Sequence, residues 1–324
     1  MNAETKTIAL SVICPFFNEA LILDKALEGL IHALHKGNAE WELLLVNDGS
    51  QDASLSIAEA WKQKEPRLRV LSYPVNQGRG HALQTGIQAA KGDILVTTEA
   101  DLSWGEDIVG QLYQTLQDHP EMDFVIASPH LSPGGYKNVP QKRVWLSGFG
   151  NVFLRLFFSN RFTMHTGMTR AYRREVIQPF HFREKGKEFH LEVLLKLTAL
   201  DFKGMEIPAT LEWKEHRLQK SAKPEKRSSS SKIPQLITTH LHFAVLANPI
   251  RYFWGIAVLS FLLGGALILA GLFRFAFGQV AIYLLLMGTL LFIFGMIFFG
   301  FGTVHAQNRA ILEEFWLLQH KREK

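Results

Sequence analysis

Ile94-Leu95-Val96-Thr97-Thr98-Glu99-Ala100-Asp101 is the stretch from which the rest of this chain is read. The run Ile94 to Thr98 predicts a short buried strand, and two carboxylates one residue apart close it. Acids so placed at the carboxyl end of a strand can hold a divalent cation against a diphosphate.

Upstream, the runs Thr7 to Cys14, Trp41 to Val46 and Leu68 to Leu71 have the same apolar character, as strands covered on both faces require. Amphipathic stretches separate them: Leu21 to His35, Ala53 to Lys64 and Gly80 to Ala90. Strand and helix alternating at this spacing predict right-handed βαβ units, an α/β domain and a mainly parallel sheet. Ligands of such sheets bind beyond the carboxyl ends of the strands. Those ends carry Pro15-Phe16-Phe17-Asn18-Glu19, Asn47-Asp48-Gly49-Ser50 and Glu99-Ala100-Asp101. Taken singly, each has a plainer explanation. Pro15 and Asn18 can end a strand with Glu19 favouring a helix start, and Asp48 to Asp52 can form a turn and cap. The loop Asn76-Gln77-Gly78-Arg79-Gly80 lacks the dinucleotide fingerprint spacing, which argues against a Rossmann dehydrogenase.

The bulk composition, 47% hydrophobic and 20% charged over 324 residues, hides an asymmetry. The chain up to about Asn248 mixes charged and apolar residues, whereas Phe253 to Phe301 is nearly uncharged. Within it, Phe253 to Leu272 and Val280 to Phe301 are each roughly twenty residues long, enough to cross a hydrocarbon core of about 30 Å. The link Phe273 to Gln279 carries one cation, Arg274, while Arg251, Arg309, Lys321, Arg322 and Lys324 flank the spans. That bias predicts a two-pass integral membrane protein with both ends in the cytoplasm. No signal peptide is expected, since the first apolar run is too short and Pro15 follows it. The plainer alternative for the spans is a buried helical hairpin in a soluble core. Gly288, Gly295 and Gly302 recur at heptad spacing and can seat a neighbouring helix, which also permits a homo-oligomer. The net charge of +5 is modest, with basic residues between Arg217 and Lys232 and at Lys321-Arg322 beside the spans, so anionic lipid is expected as a partner and nucleic acid is not. The single cysteine, Cys14, excludes an intramolecular disulfide.

With these segments in view, Pro15-Phe-Phe-Asn-Glu19, Val46-Asn-Asp-Gly-Ser50, Asn76-Gln-Gly-Arg-Gly80 and Glu99-Ala-Asp101 resemble the ordered motifs of family 2 inverting glycosyltransferases. Arg227-Ser-Ser-Ser-Ser-Lys232, an amphipathic segment and two spans resemble the polyprenyl-phosphate hexose synthases, among them dolichyl-phosphate mannose synthase and undecaprenyl-phosphate glucosyltransferases. The resemblance implies a nucleotide-diphospho-sugar transferase (GT-A-like) sheet domain over residues 1–232, an interfacial amphipathic segment over 233–250, and a transmembrane hairpin with a cytoplasmic tail over 251–324. It implies that Pro15, Phe17, Glu19, Val46 and Asp48 line the base and ribose pocket, and that Glu99, Ala100 and Asp101 lie along the diphosphate. Glu99, Asp101 and Ser103 would serve a Mg2+ or Mn2+ ion, Arg143 would face the lipid phosphate or the sugar, and Arg227 and Lys232 would close over both phosphates. The implied partners are a UDP- or GDP-linked sugar, a polyprenyl phosphate and a membrane, the plasma membrane if bacterial or the endoplasmic reticulum if eukaryotic, with the compact size favouring the former.

Three positions depart from the pattern. Relatives usually have aspartate where Glu99 stands, often an arginine after the serine where Ser128 is followed by Pro129, and commonly an aspartate where Thr163 stands. The expected reaction is direct displacement at the anomeric carbon by an already anionic phosphate oxygen, with inversion and without a general base. Two other functions compete. A processive polysaccharide synthase usually needs more spans and a Gln-x-x-Arg-Trp motif, which Gln141-Lys-Arg-Val-Trp145 matches in neither order nor spacing. A catalytically silent, membrane-anchored nucleotide-sugar-binding partner is the other.

Overall fold

The structure is a computed structural model describing residues 8–141, 144, 162–186, 188–213 and 249–321. Arg143, Arg227, Lys232 and most of the expected interfacial segment lie outside the described residues. The chain divides into two compact units, Met1–Thr239 and His240–Lys324.

In the first unit β1 (Leu10–Phe16), α1 (Ala20–Lys36), β2 (Trp41–Asp48), α2 (Ser54–Lys64), β3 (Leu68–Tyr73), α3 (Arg79–Ala89) and β4 (Ile94–Thr97) follow in the expected alternation. Then come α4 (Ile108–Asp118), β5 (Phe124–Ser128), β6 (Gly135–Lys137), β7 (Arg170–Arg173), α5 (Arg174–Ile177), α6 (Phe189–Ala199), β8 (Gly204–Pro208) and β9 (Thr210–Glu212). The main sheet runs β3-β2-β1-β4-β7-β5-β8, with β6 and β9 pairing separately. Every ladder of the main sheet is parallel except those of β7, which runs antiparallel between β4 and β5. The fully buried cores of β1 and β2 match their unbroken apolar runs.

Three strand ends extend beyond the sequence expectation, β3 among them, which continues through Ser72 and Tyr73. β2 continues through Asn47 and Asp48, and β1 through Pro15 and Phe16. Pro15 is tolerated because Ile13 is the last β1 residue paired with β4, so the strand is paired on one side only at the proline. The inserted β7 is locked by Arg173. Its guanidinium donates to the carbonyl oxygens of Leu116, His119 and Met122, satisfying acceptors at the end of α4.

The second unit is a helical hairpin of α7 (Pro249–Ala276) and α8 (Ile282–Lys321). Tyr252–Ala276 and Ile282–Asn308 are long and apolar enough to cross a membrane. Only 22% and 11% of their most apolar windows are buried within the chain, which is unlike the helices of a soluble core. The glycine stripe of α8 seats α7 of the same chain. A Cβ on Gly288 would stand 2.7 Å from Ile268 Cγ1 and 2.8 Å from Gly264 O, and one on Gly295 would stand 2.9 Å from Phe261. Gly302 similarly faces Trp254. The α7 contacts at Trp254, Phe261 and Ile268 recur every seven residues, the pattern of left-handed helix pairs.

Gly288→Leu is therefore expected to overpack this seam at a cost of about 1–3 kcal/mol. Thermal unfolding of the detergent-solubilised chain should register the loss. Gly300→Leu, at a position where a Cβ meets nothing within 4 Å, serves as the control and should melt with the wild type.

Candidate active site

The loops at the carboxyl ends of β1 and β2 are tied together before they meet any ligand. Asn18 adopts φ +53, which asparagine tolerates, and from there its N–H donates to Ser50 Oγ (3.0 Å) while its Oδ1 accepts from Gln51 N (2.8 Å). The first N–H groups of α1 are satisfied across the loop: Glu19 N donates to Ser54 Oγ (2.8 Å) and Ala20 N to Asp52 Oδ2 (3.1 Å). Burial raises the Asp52 carboxyl, but hydrogen bonds from the Ser54 hydroxyl and from the Ser54 and Ala20 backbones outweigh it and hold the group below its usual range. The cap anticipated in the sequence is thus present, and it serves α1 from the loop after β2.

Asp48 has a different task. It is 4% exposed, and its carboxylate accepts from Tyr73 Oη (2.8 Å), Asn76 Nδ2 (2.9 Å), Gln77 N (2.8 Å) and Gly78 N (3.1 Å). One side chain therefore shapes the whole glycine loop. The loop also needs Gly49 at φ +67, where a Cβ would fall 2.5 Å from Asn76 N, and Gly78 at φ +100. Burial, then the hydrogen bond to Asp48, pushes the Tyr73 phenol upward, so it remains a donor.

Above these loops lies a cleft of about 200 Å³ lined by Pro15, Phe17, Glu19, Asp48, Glu99, Ala100 and Asp101, all expected from the sequence, together with Phe16, Arg79 and Met168. Val46 is fully buried in β2, where it packs toward the backbone of Gly86 rather than lining the cleft. Ser103 is 1% exposed and acts through its neighbour, with its N–H (3.0 Å) and hydroxyl (2.5 Å) both donating to Asp101 Oδ1 and fixing that carboxylate's orientation. Arg79 pairs with Glu99 at 3.7 Å. Its signal in the sequence was a lone cation in a glycine loop at a helix start. Met168 carries no such signal, because the antiparallel β7 brings its lead-in to the cleft.

The lining holds four carboxylates and one guanidinium. A diphosphate would be repelled from such a surface without a counter-cation, so the donor set suits a hard divalent ion. The field reaches Cys14, whose thiol is pushed up to about 12 by burial first, then by Asp101 and Glu99. Among the described residues no cluster of three or more His, Cys, Asp or Glu can hold a metal, so ligand oxygens would complete the shell. Cys14 is fully buried, and with its thiol pushed up it stays protonated at pH 8. Alkylation by iodoacetamide at that pH should be negligible in the folded protein and complete after denaturation, as read by intact mass.

The departure at Thr163 meets the residue before the departure at Pro129. Ser128 Oγ lies 2.7 Å from Thr163 Oγ1, and Thr163 N and Oγ1 donate to Glu206 Oε2 at 2.8 and 2.9 Å. A neutral hydroxyl pair backed by a carboxylate on β8 occupies this corner. Gln141 is described, while Trp145 lies outside the described residues.

The strand order, the single antiparallel insertion and the acid-lined cleft define a GT-A-like glycosyltransferase domain. The chain belongs to glycosyl transferase family 2, whose family model matches residues 11–180, just over half of the 324-residue chain. It is 32% identical over 124 residues to undecaprenyl-phosphate 4-deoxy-4-formamido-L-arabinose transferase of Pectobacterium atrosepticum, covering 34% of this chain and 38% of that protein. It is 30% identical over 100 residues to dolichyl-phosphate β-glucosyltransferase ALG5A of Trichomonas vaginalis, covering 29% and 31%. The match thus spans about a third of the length of these curated relatives. In fold it is similar to glucosyl-3-phosphoglycerate synthase of Mycobacterium tuberculosis in complex with Mn2+, UDP-glucose and phosphoglyceric acid, with a TM-score of 0.55, 20% identity, and 73% of this chain and 79% of that one covered.

Proposed function

We propose that this glycosyltransferase moves a hexose from a UDP- or GDP-linked donor to a polyprenyl phosphate, with inversion, at the cytoplasmic face of a membrane and in the presence of Mg2+ or Mn2+. The observation that carries this reading is an acid-lined cleft at the carboxyl ends of the strands in the same chain as two helices of membrane-spanning length. Two relatives named for undecaprenyl and dolichyl phosphates support the acceptor class, and a neighbour in complex with Mn2+ and UDP-glucose supports the donor and the ion.

Asp101 and Glu99 are the residues that would hold the ion, and Ser103 keeps Asp101 turned for that task. The bound ion would supply charge neutralisation to the departing diphosphate. Arg143, Arg227 and Lys232, outside the described residues, would add positive charge for bringing two phosphates together. The acceptor phosphate is anionic near neutral pH, so no side chain needs to remove a proton. Displacement in one step inverts the anomeric carbon. The apolar tail of the acceptor stays in the bilayer, and the hairpin keeps the enzyme beside it. The cationic flanks Arg251 and Arg309 support a topology with both ends of the hairpin on the inner face, and a bacterial plasma membrane is the setting this reading favours.

The test is incubation of the detergent-purified full chain with a panel of UDP- and GDP-hexoses and undecaprenyl or dolichyl phosphate, with Mn2+, with Mg2+ or with excess chelator. A lipid-linked monosaccharide formed only with the ion is the expected product. An oligosaccharide would point to a processive synthase, and nucleotide binding without turnover to a silent binding partner. Undiminished transfer under chelation would remove the ion from the reading.

A further inference from the structure

The starts of two helices meet behind the cleft. Gly80 N and His81 N of α3 donate to Lys185 O at 2.7 and 3.3 Å, and a Cβ on Gly80 would stand 2.8 Å from Phe189 Cβ of α6. Arg79 precedes Gly80 and His190 follows Phe189, so this packing brings their two side chains into one neighbourhood. Each contributes a buried polar atom that makes no hydrogen bond: Arg79 Nε and His190 Nε2. The first can only donate. The second accepts when a neutral imidazole carries its proton on Nδ1.

His190 is 1% exposed. Burial, then the charges of Arg79 and Arg170, holds its imidazole well below the usual histidine range, so it is neutral at physiological pH. Its backbone is pinned as well, since the fully buried Arg170 donates to His190 O at 3.1 Å and to His165 O at 2.7 Å. Arg79 is the less settled of the pair. Its 3.7 Å approach to Glu99 is well beyond the roughly 2.8 Å of a charge-assisted hydrogen bond.

We propose that His190 is a positioning residue for Arg79: when a donor diphosphate draws the guanidinium away from Glu99, Arg79 Nε–H donates to His190 Nε2 and the terminal nitrogens turn to the phosphate oxygens. This rests on the cleft taking a nucleoside diphosphate. A donor and an acceptor, both buried and both without a hydrogen bond, are then satisfied by one side-chain movement. The Arg79–Glu99 ion pair is given up in the same movement.

The test is calorimetric titration of the detergent-purified full chain with UDP and with GDP, each with Mn2+. His190→Leu should weaken the better nucleotide about tenfold, the loss of one hydrogen bond to a charged group. His190→Gln, which keeps an acceptor, should recover most of that affinity. If His190→Leu fails to fold, His190→Phe, with no nitrogen, oxygen or sulfur acceptor, gives the same comparison. Because the residue acts through Arg79, the double variant Arg79→Ala/His190→Leu should bind no more weakly than Arg79→Ala alone. Wild-type affinity in His190→Leu, equal losses in the Leu and Gln variants, or multiplied losses in the double variant would each overturn the assignment. A wild-type chain that binds neither nucleotide would instead bring down the nucleotide reading itself, and this inference with it.

Discussion

Asp101→Asn is expected to lower kcat/KM for hexosyl transfer about a thousandfold while leaving the fold intact. The loss follows from charge: one of the two carboxylates proposed to face the donor diphosphate becomes neutral, and preorganised electrostatic stabilisation of a leaving group is commonly worth that much. The intact fold follows from geometry. Ser103 N and Oγ both donate to Asp101 Oδ1, and the amide oxygen of asparagine can accept the same two bonds. Steady-state kinetics with the active donor, beside a thermal melt of the same preparation, separates the two effects. Turnover within a few fold of wild type would remove Asp101 from the proposed site. A collapsed melting curve would mean that the residue is chiefly structural.

Asp48→Ala should do the reverse, with destabilisation as its leading effect. Alanine leaves the Tyr73 hydroxyl, the Asn76 amide and the Gln77 and Gly78 N–H groups without their common acceptor. A donor left without its acceptor costs about 1–3 kcal/mol where water cannot reach it, but Asn76 and Gln77 are exposed and Asn76 keeps its bond to Asp48 O (3.1 Å), so water and that carbonyl offset much of the sum. A net loss of about 3 kcal/mol is expected, or a Tm lowered by about 6–12 °C for a unit of this size. Nucleotide binding should fall as well, because Gly78 and Arg79 lose their placement. A Tm within about 2 °C of wild type would show that the loop holds its shape without the clasp.

Much of the fold was legible because parallel strands buried on both faces leave unbroken apolar runs, and because the helices between them show one apolar face. The acid pair was legible for a similar reason: in such a sheet, polar residues directly after an apolar run lie at the ligand-binding end. The remainder required contacts across the chain. β7, with the sequence Arg-Ala-Tyr-Arg, does not read as a buried strand. Arg170 is buried there because the carbonyl oxygens of His165 and His190 receive its guanidinium. The glycine heptad of the second span was visible as a spacing, but spacing cannot say whether the facing helix belongs to this chain or to another copy.

Composition and periodicity therefore sufficed for an α/β nucleotide-type sheet, its ligand-binding edge and a pair of membrane-length helices, since each is a local regularity repeated along the chain. Folding in three dimensions was needed to give Asp48 a loop to hold, Arg79 a place opposite Glu99, Met168 a position in the cleft wall and His190 a buried nitrogen near a guanidinium. These pairings join residues that are distant in sequence, from about twenty positions apart (Arg79 and Glu99) to over a hundred (Arg79 and His190). Hydrogen bonds and charge act over a few ångströms of space, and no local pattern of residue types records which distant segments will come that close.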